Sequence, residues 1–166
     1  MRARHKLAAA AAASLVAASA AGAAPPREGL LVPGASLGGL RLGMTKQQVR
    51  AAWGTRFGRC KGCRLETWYY TYRPFSPKGA GVEFRRDRVN AIFTLWQPRG
   101  WRTTKGLRLG EPEASVTEVH GTLSRAECGT YSAFLQRSRG ALTAYYVLSG
   151  RVWGFGLFNA GAEPCR

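Results

Sequence analysis

The pentapeptide Gly39-Leu40-Arg41-Leu42-Gly43 returns unchanged as Gly106-Leu107-Arg108-Leu109-Gly110. The match continues outward at the same spacing, with Val49 aligned to Val116 and Gly54 to Gly121. Further on, Arg88-Val89 aligns with Arg151-Val152 at an offset shorter by four, each pair preceded by a turn-like dipeptide (Arg86-Asp87 and Ser149-Gly150). A pattern used twice at a fixed spacing is the mark of one supersecondary unit used twice. The expectation is therefore two tandem units, residues 36–97 and 103–160, joined by a linker over 98–102.

Each unit reads as a helix, a loop and an antiparallel meander. Thr45 can cap a helix that runs to Trp53, and Gln48 stands at the capping-box spacing. Gly54 suits the residue just past its end. In the second unit Pro112 and Glu113 open the helix and Gly121 closes it. A loop with cysteine follows in each unit. Then come segments rich in Tyr, Trp, Phe and Val, at 67–73, 81–86 and 88–96, and at 130–136, 141–148 and 151–158. The expected fold class is α+β, with the helices packed on one face of the sheets.

The chain has 166 residues, 20% charged and 11% aromatic, which describes a globular protein. It is short for a barrel or doubly wound enzyme. Residues 1–23 read as a secretory signal peptide. Arg2, Arg4 and Lys6 form its basic start, the Ala/Leu/Val run from Leu7 to Ala21 its apolar centre, and Ala21-Gly22-Ala23 a small-x-small cleavage site. Residues 24–35 read as an N-terminal linker and 161–166 as a tail. No membrane span is expected after cleavage. The expected location is secreted, periplasmic or cell-envelope.

All four cysteines lie in the exported part. An even count in an oxidising compartment points to two disulfides. Of three possible pairings, Cys60–Cys63 and Cys128–Cys165 are favoured: the first pins a loop tip, the second ties the tail, through Cys165, to the body. Cys60-Lys61-Gly62-Cys63 also matches C-x-x-C, but it follows a helix and precedes a strand, whereas a thioredoxin-type site opens a helix. Cys128 and Cys165 are not a close pair, which argues against a four-cysteine zinc site.

Lys and Arg total 25 against nine acids. That balance favours anionic partners. The cations are scattered, however, and no recognition helix or aromatic nucleic-acid motif accompanies them. An anionic envelope polymer is a possible partner; nucleic acid is not expected. His120 takes the place of Trp53 in the other unit, which suggests packing rather than catalysis. Glu66 and Glu83 could form a carboxylate pair, but nothing in the sequence brings them together, and carboxylates in strand regions are more often surface residues. The chain reads as non-enzymatic, without metal or cofactor.

The two-fold use of a helix, loop and meander, each opening on G-x5-V-x4-G, resembles the tandem-repeat β-lactamase inhibitor proteins. Unit by unit it is also similar to the BamE (SmpA/OmlA) envelope lipoproteins. The residues that carry the likeness are Gly43, Met44, Thr45, Val49 and Gly54, then Gly110, Val116 and Gly121, with Arg88-Val89 and Arg151-Val152. The resemblance implies a concave sheet face that grips a protein partner, with helices behind. The lipid-bearing cysteine of the lipoproteins is absent.

Strand parity names the candidate binding face. Aligned at the shorter offset, Trp68, Tyr70 and Tyr72 match Tyr131, Ala133 and Leu135 and point inward. Val82, Phe84, Tyr145 and Val147 join them, as do Ala91, Phe93 and Leu95. The outward set is then Tyr69, Arg85, Trp96, Phe134, Tyr146, Trp153 and Phe155. The alternative is a bulge that flips the third strand and buries Trp153 and Phe155. The expected function is a secreted protein-binding module that presents these aromatic and Arg side chains to an extracellular or envelope protein. The other reading is an envelope module that binds polyanions through net charge.

Overall fold

The computed structural model describes residues 27–71, 79–95, 100–138 and 140–166. The expected leader and Trp96 lie outside these residues. In chain order the elements are β1 (Glu28–Val32), β2 (Ser36–Leu37), α1 (Lys46–Trp53), β3 (Gly58–Arg59), β4 (Glu66–Thr71), β5 (Gly79–Arg85), β6 (Arg88–Leu95), β7 (Gly100–Thr103), α2 (Ala114–His120), β8 (Ser124–Glu127), β9 (Ser132–Ser138), β10 (Ala141–Leu148) and β11 (Arg151–Asn159).

The main sheet has eight strands in the order β3-β4-β5-β6-β11-β10-β9-β8, every neighbour antiparallel. From the central β6–β11 pair a meander runs outward in each direction. A second sheet, β2-β1-β7, pairs β1 with β2 antiparallel and with β7 parallel.

This overturns the α+β expectation. The helices span eight and seven residues, and the protein is predominantly antiparallel β. The physical reason lies in segments expected to be linkers. Residues 24–35 supply β1 with the buried Leu31, and β7, which overlaps the 98–102 linker, supplies the buried Trp101. Together with Leu37 these side chains join Val49, Trp53 and Val116 in one core cluster against Val82, Tyr145, Phe155 and Leu157 of the main sheet. A small sheet thus does much of the covering that was assigned to helices.

The local signals at α1 act as the sequence suggests. The Gln48 amide donates to Thr45 Oγ1 at 3.2 Å, and the Thr45 amide donates to Gln48 Oε1 at 2.8 Å. Gly54 closes the helix at φ 81°, a left-handed value that costs glycine little. Trp53, at the helix end, donates its indole N–H to the Gly38 carbonyl at 2.7 Å and meets Tyr70 and Trp101 edge-on. Gly38 itself lies so close to both indoles that a Cβ there would stand 2.4 Å from Trp101.

The repeated pentapeptides are each tied to a hairpin by the same three bonds. Gly43 N–H donates to Val89 O, Val89 N–H to Met44 O, and Arg88 to Gly43 O. In the other half Gly110 N–H donates to Val152 O, Val152 N–H to Glu111 O, and Arg151 to Gly110 O. This explains why the G-L-R-L-G and R-V signals occur together: one is the partner of the other. Leu40 and Leu107 are fully buried beneath, while Leu42 and Leu109 are half-buried.

Both disulfides join the favoured partners, Cys60 to Cys63 and Cys128 to Cys165. Disulfides of this kind belong to chains that fold in an oxidising compartment, consistent with a secreted protein. In the chain-entropy picture the four-residue loop of the first is worth about 2 kcal/mol and the long loop of the second about 4 kcal/mol.

Candidate functional site

The face of the main sheet opposite the helices carries a second core cluster of Ala91, Phe93, Ala133, Leu142, Ala144, Tyr146 and Phe158. Two irregularities decide which residues stand there. Glu83 pairs with Ala91 and Phe84 with Val89, so Asn90 is the extra residue of a bulge. Tyr146 pairs with Gly154 and Val147 with Val152, so Trp153 is the extra residue of its counterpart. One added residue inverts every side chain beyond it. Ile92, Phe155 and Leu157 therefore turn to the helices, and Ala91, Phe93 and Phe158 to the open face.

The first strands hold the other correction. Trp68 pairs with Val82, and Phe134 with Tyr145. Trp68 thus corresponds to Phe134, three residues away from the partner assumed in the sequence alignment. An odd error reverses parity. Phe134 faces the helices at 8% exposure, and Tyr131, Ala133 and Leu135 face away from them.

Of the expected binding residues, Phe134 and Phe155 are thus buried on the wrong face, and Phe155 has no exposure at all. Tyr146 and Trp153 do stand on the open face, but neither is exposed, and the C-terminal tail reaches over Tyr146. Tyr146 is fully buried and donates to the Pro164 carbonyl. Burial pushes its phenol well above the ordinary tyrosine range. Trp153 is half-buried against Tyr131 and Tyr146. Tyr131 exchanges hydrogen bonds with the Arg166 backbone, and the Cys128–Cys165 bond fixes the tail in place. Tyr131 and Tyr146 thus have an intramolecular cover rather than an exposed face.

Tyr69 and Arg85 remain accessible, and they meet in a groove of about 270 Å³. Its floor is Tyr69, Glu83, Asn90 and Phe93; the Cys63-Arg64-Leu65 loop forms one wall and Ala162, Glu163 and Arg166 the other. Tyr69 and Phe93 meet edge-on at 6.1 Å. Asn159 Nδ2 donates to Asn90 Oδ1 at 3.1 Å, and Asn90 Nδ2 donates to Glu83 Oε1 at 2.8 Å. Glu83 Oε2 stands 3.7 Å from the Arg166 guanidinium, with both side chains mostly buried. That guanidinium also lies over the rings of Phe93 and Phe158. The groove's one sunken carboxylate is therefore committed to Asn90 and Arg166. Arg64 and Arg85 are exposed and have no ion-pair partner among the described residues.

Sequence reasoning missed Arg64, Phe93 and Arg166 as site residues. A signal existed for Arg166: the favoured Cys128–Cys165 bond already brought its neighbour back to the sheet. No such signal existed for Phe93, whose face depends on the bulge.

His120 is not part of this groove. Its ring lies against Tyr145, with Nδ1 3.1 Å from the Tyr145 hydroxyl, which donates to Gln136 Oε1 at 2.6 Å. The hydroxyl's own proton goes to Gln136, so Nδ1–H is the donor to Tyr145 and Nε2 is left buried without a partner. Burial, with a smaller contribution from the charge of Lys105, lowers its pKa below the ordinary 6.5. A histidine depressed in the folded state gives stability that is complete above 6.5 and is lost as pH falls through the folded value. Urea midpoints should accordingly drop between pH 7 and pH 5. His120→Gln should flatten that slope; an unchanged slope would contradict the assignment.

No family model matches the sequence, and no curated protein does. Two solved structures are similar. One is an extracellular protein containing a SCP domain from Bacillus anthracis, with a TM-score of 0.53 at 13% identity, covering 72% of this chain and 44% of that one. The other is a DUF4309 family protein, YjgB, from Bacillus subtilis, with a TM-score of 0.49 at 15% identity, covering 69% of this chain and 78% of that one. The first likeness concerns the fold, and this chain spans less than half the length of that protein. Neither is a β-lactamase inhibitor or a BamE-like lipoprotein, so that resemblance gains no support from them.

Proposed function

We propose that this protein is a secreted, non-enzymatic binding module of the cell exterior or envelope that holds an acidic segment of a protein partner in the Tyr69–Arg85 groove. The observation that carries the reading is the pair of free arginines, Arg64 and Arg85, at the rim of a groove floored by Tyr69 and Phe93. Arg and Tyr are the side chains that most often anchor interfaces. An acidic segment would neutralise the two guanidinium groups while an apolar side chain rests on the rings. The excess of 25 basic over nine acidic residues would speed the approach of such a partner.

The test is retention of proteins from the producing organism's extracellular and envelope fractions on immobilised wild-type protein and on Arg64→Ala/Arg85→Ala. Loss of two charge-assisted contacts should weaken retention by roughly 10- to 100-fold. The melting temperature should not change, because both residues are exposed. Retention that is equal in the two, and that vanishes at moderate salt, would favour diffuse polyanion binding instead.

A further inference from the structure

The Cys60–Cys63 bond is set in surroundings unlike those of a structural staple. It lies outside both core clusters. Lys61, Gly62, Cys63 and Arg64 are exposed and Cys60 is half-buried. The loop has its own backbone support: the Cys60 amide donates to the Thr67 carbonyl at 3.0 Å, and Gly62 turns the chain at φ 86°. Neither feature needs the sulfur–sulfur bond. Its loop is also the shorter of the two, so it constrains the unfolded chain least.

The charges differ as well. Arg59, Lys61 and Arg64 flank the pair, and none has an ion-pair partner among the described residues. Cations beside a cysteine stabilise its thiolate and raise its reactivity in exchange. The other disulfide has a mixed setting, with Glu127 (paired with Arg125) beside Cys128 and Arg166 beside Cys165, and its two cysteines are half-buried. Cys63 also lines the groove, where a docked chain would come within reach of its sulfur.

We propose that Cys60–Cys63 is a thiol–disulfide exchange site for an extracellular thiol compound, rather than a staple of the fold. This goes beyond the binding reading and does not depend on it. The thiolate of the incoming thiol attacks Sγ of Cys63, the more exposed of the two residues. The Cys60–Cys63 bond breaks as the new sulfur–sulfur bond forms, and Cys60 leaves as a thiolate in a segment whose neighbours Arg59, Lys61 and Arg64 are cationic. A second thiol then attacks the incoming sulfur of the mixed disulfide and releases Cys63. Two thiols have become one disulfide, and their two electrons and two protons reside on Cys60 and Cys63. A return of Cys60 onto Cys63 reverses the first step.

The test uses the full, folded chain with reduced glutathione as the probe, followed by alkylation and peptide mass mapping over time. Cys60 and Cys63 should become labelled at least about tenfold faster than Cys128 and Cys165, with the circular dichroism unchanged. Lys61→Glu/Arg64→Glu should slow the exchange with this anionic thiol, while Cys60→Ser/Cys63→Ser should still fold to the same circular dichroism and lose less thermal stability than Cys128→Ser/Cys165→Ser. Equal labelling of both pairs, labelling only after unfolding, or a double serine variant that fails to fold would each overturn the proposal.

Discussion

Trp53→Ala should destabilise the protein by about 3–5 kcal/mol, and so lower the melting temperature by roughly 10–20 °C. Trp53 is 1% exposed and touches three parts of the molecule at once. It ends α1, holds the Gly38 carbonyl after β2, and packs edge-on against Tyr70 of β4 and Trp101 of β7. Truncation leaves a cavity where these elements meet and also frees a buried carbonyl. A loss under about 1 kcal/mol in a denaturant titration would mean that the small sheet does not cover the main one as described.

The second large effect belongs to the tail. Cys128→Ser/Cys165→Ser should lose about 4 kcal/mol if the long loop is the dominant contribution. The readout has a second part. Tyr146, Phe158 and Phe93 are buried where the tail crosses the open face, and Pro164 and Arg166 make its polar contacts. With the tail released, an environment-sensitive dye should bind the folded double variant and not the wild type. A variant that is destabilised yet dye-silent would show that the remaining tail contacts hold without the disulfide. The groove wall made by Ala162, Glu163 and Arg166 depends on the same clasp, so partner retention should fall with it.

How much of this was written in the sequence depends on the range of each signal. The capping box at Thr45, the turns at Arg86-Asp87 and Ser149-Gly150 and the six long strands are local, and local chemistry determines them. The cysteine pairing was legible because spacing and compartment leave few options. The layer that covers the sheet was not legible. β1, β2 and β7 are short, and β1 (Glu28–Val32) finds its parallel partner only at β7 (Gly100–Thr103), with the whole first meander between them. No periodicity within four or five residues can announce that.

The binding face was half legible for a related reason. Parity works until a strand gains a residue, and each third strand gains one, at Asn90 and at Trp153. A bulge was foreseeable as an alternative, but its position follows from pairing with the neighbouring strand, not from composition. Tyr69 and Arg85 reach the groove as their parity suggests. Phe155, beyond the bulge at Trp153, and Phe134, on a first strand whose alignment was off by three residues, point into the core. The exposed aromatic face anticipated from Tyr146, Trp153 and Phe155 is not exposed: Phe155 lies in the core, Tyr146 is buried beneath the tail and Trp153 is half-buried.

The most direct test of the groove is site-specific photocross-linking. A photoreactive phenylalanine analogue would replace Tyr69 on the groove floor or, in a parallel sample, exposed Arg102 of β7, on the helix side of the main sheet. Both proteins would be irradiated with the organism's extracellular and envelope fraction. The expected result is a discrete cross-linked partner from position 69, lost on Arg64→Ala/Arg85→Ala, and none from position 102. The same adduct from both positions, or from position 102 alone, would contradict a groove-centred binding site.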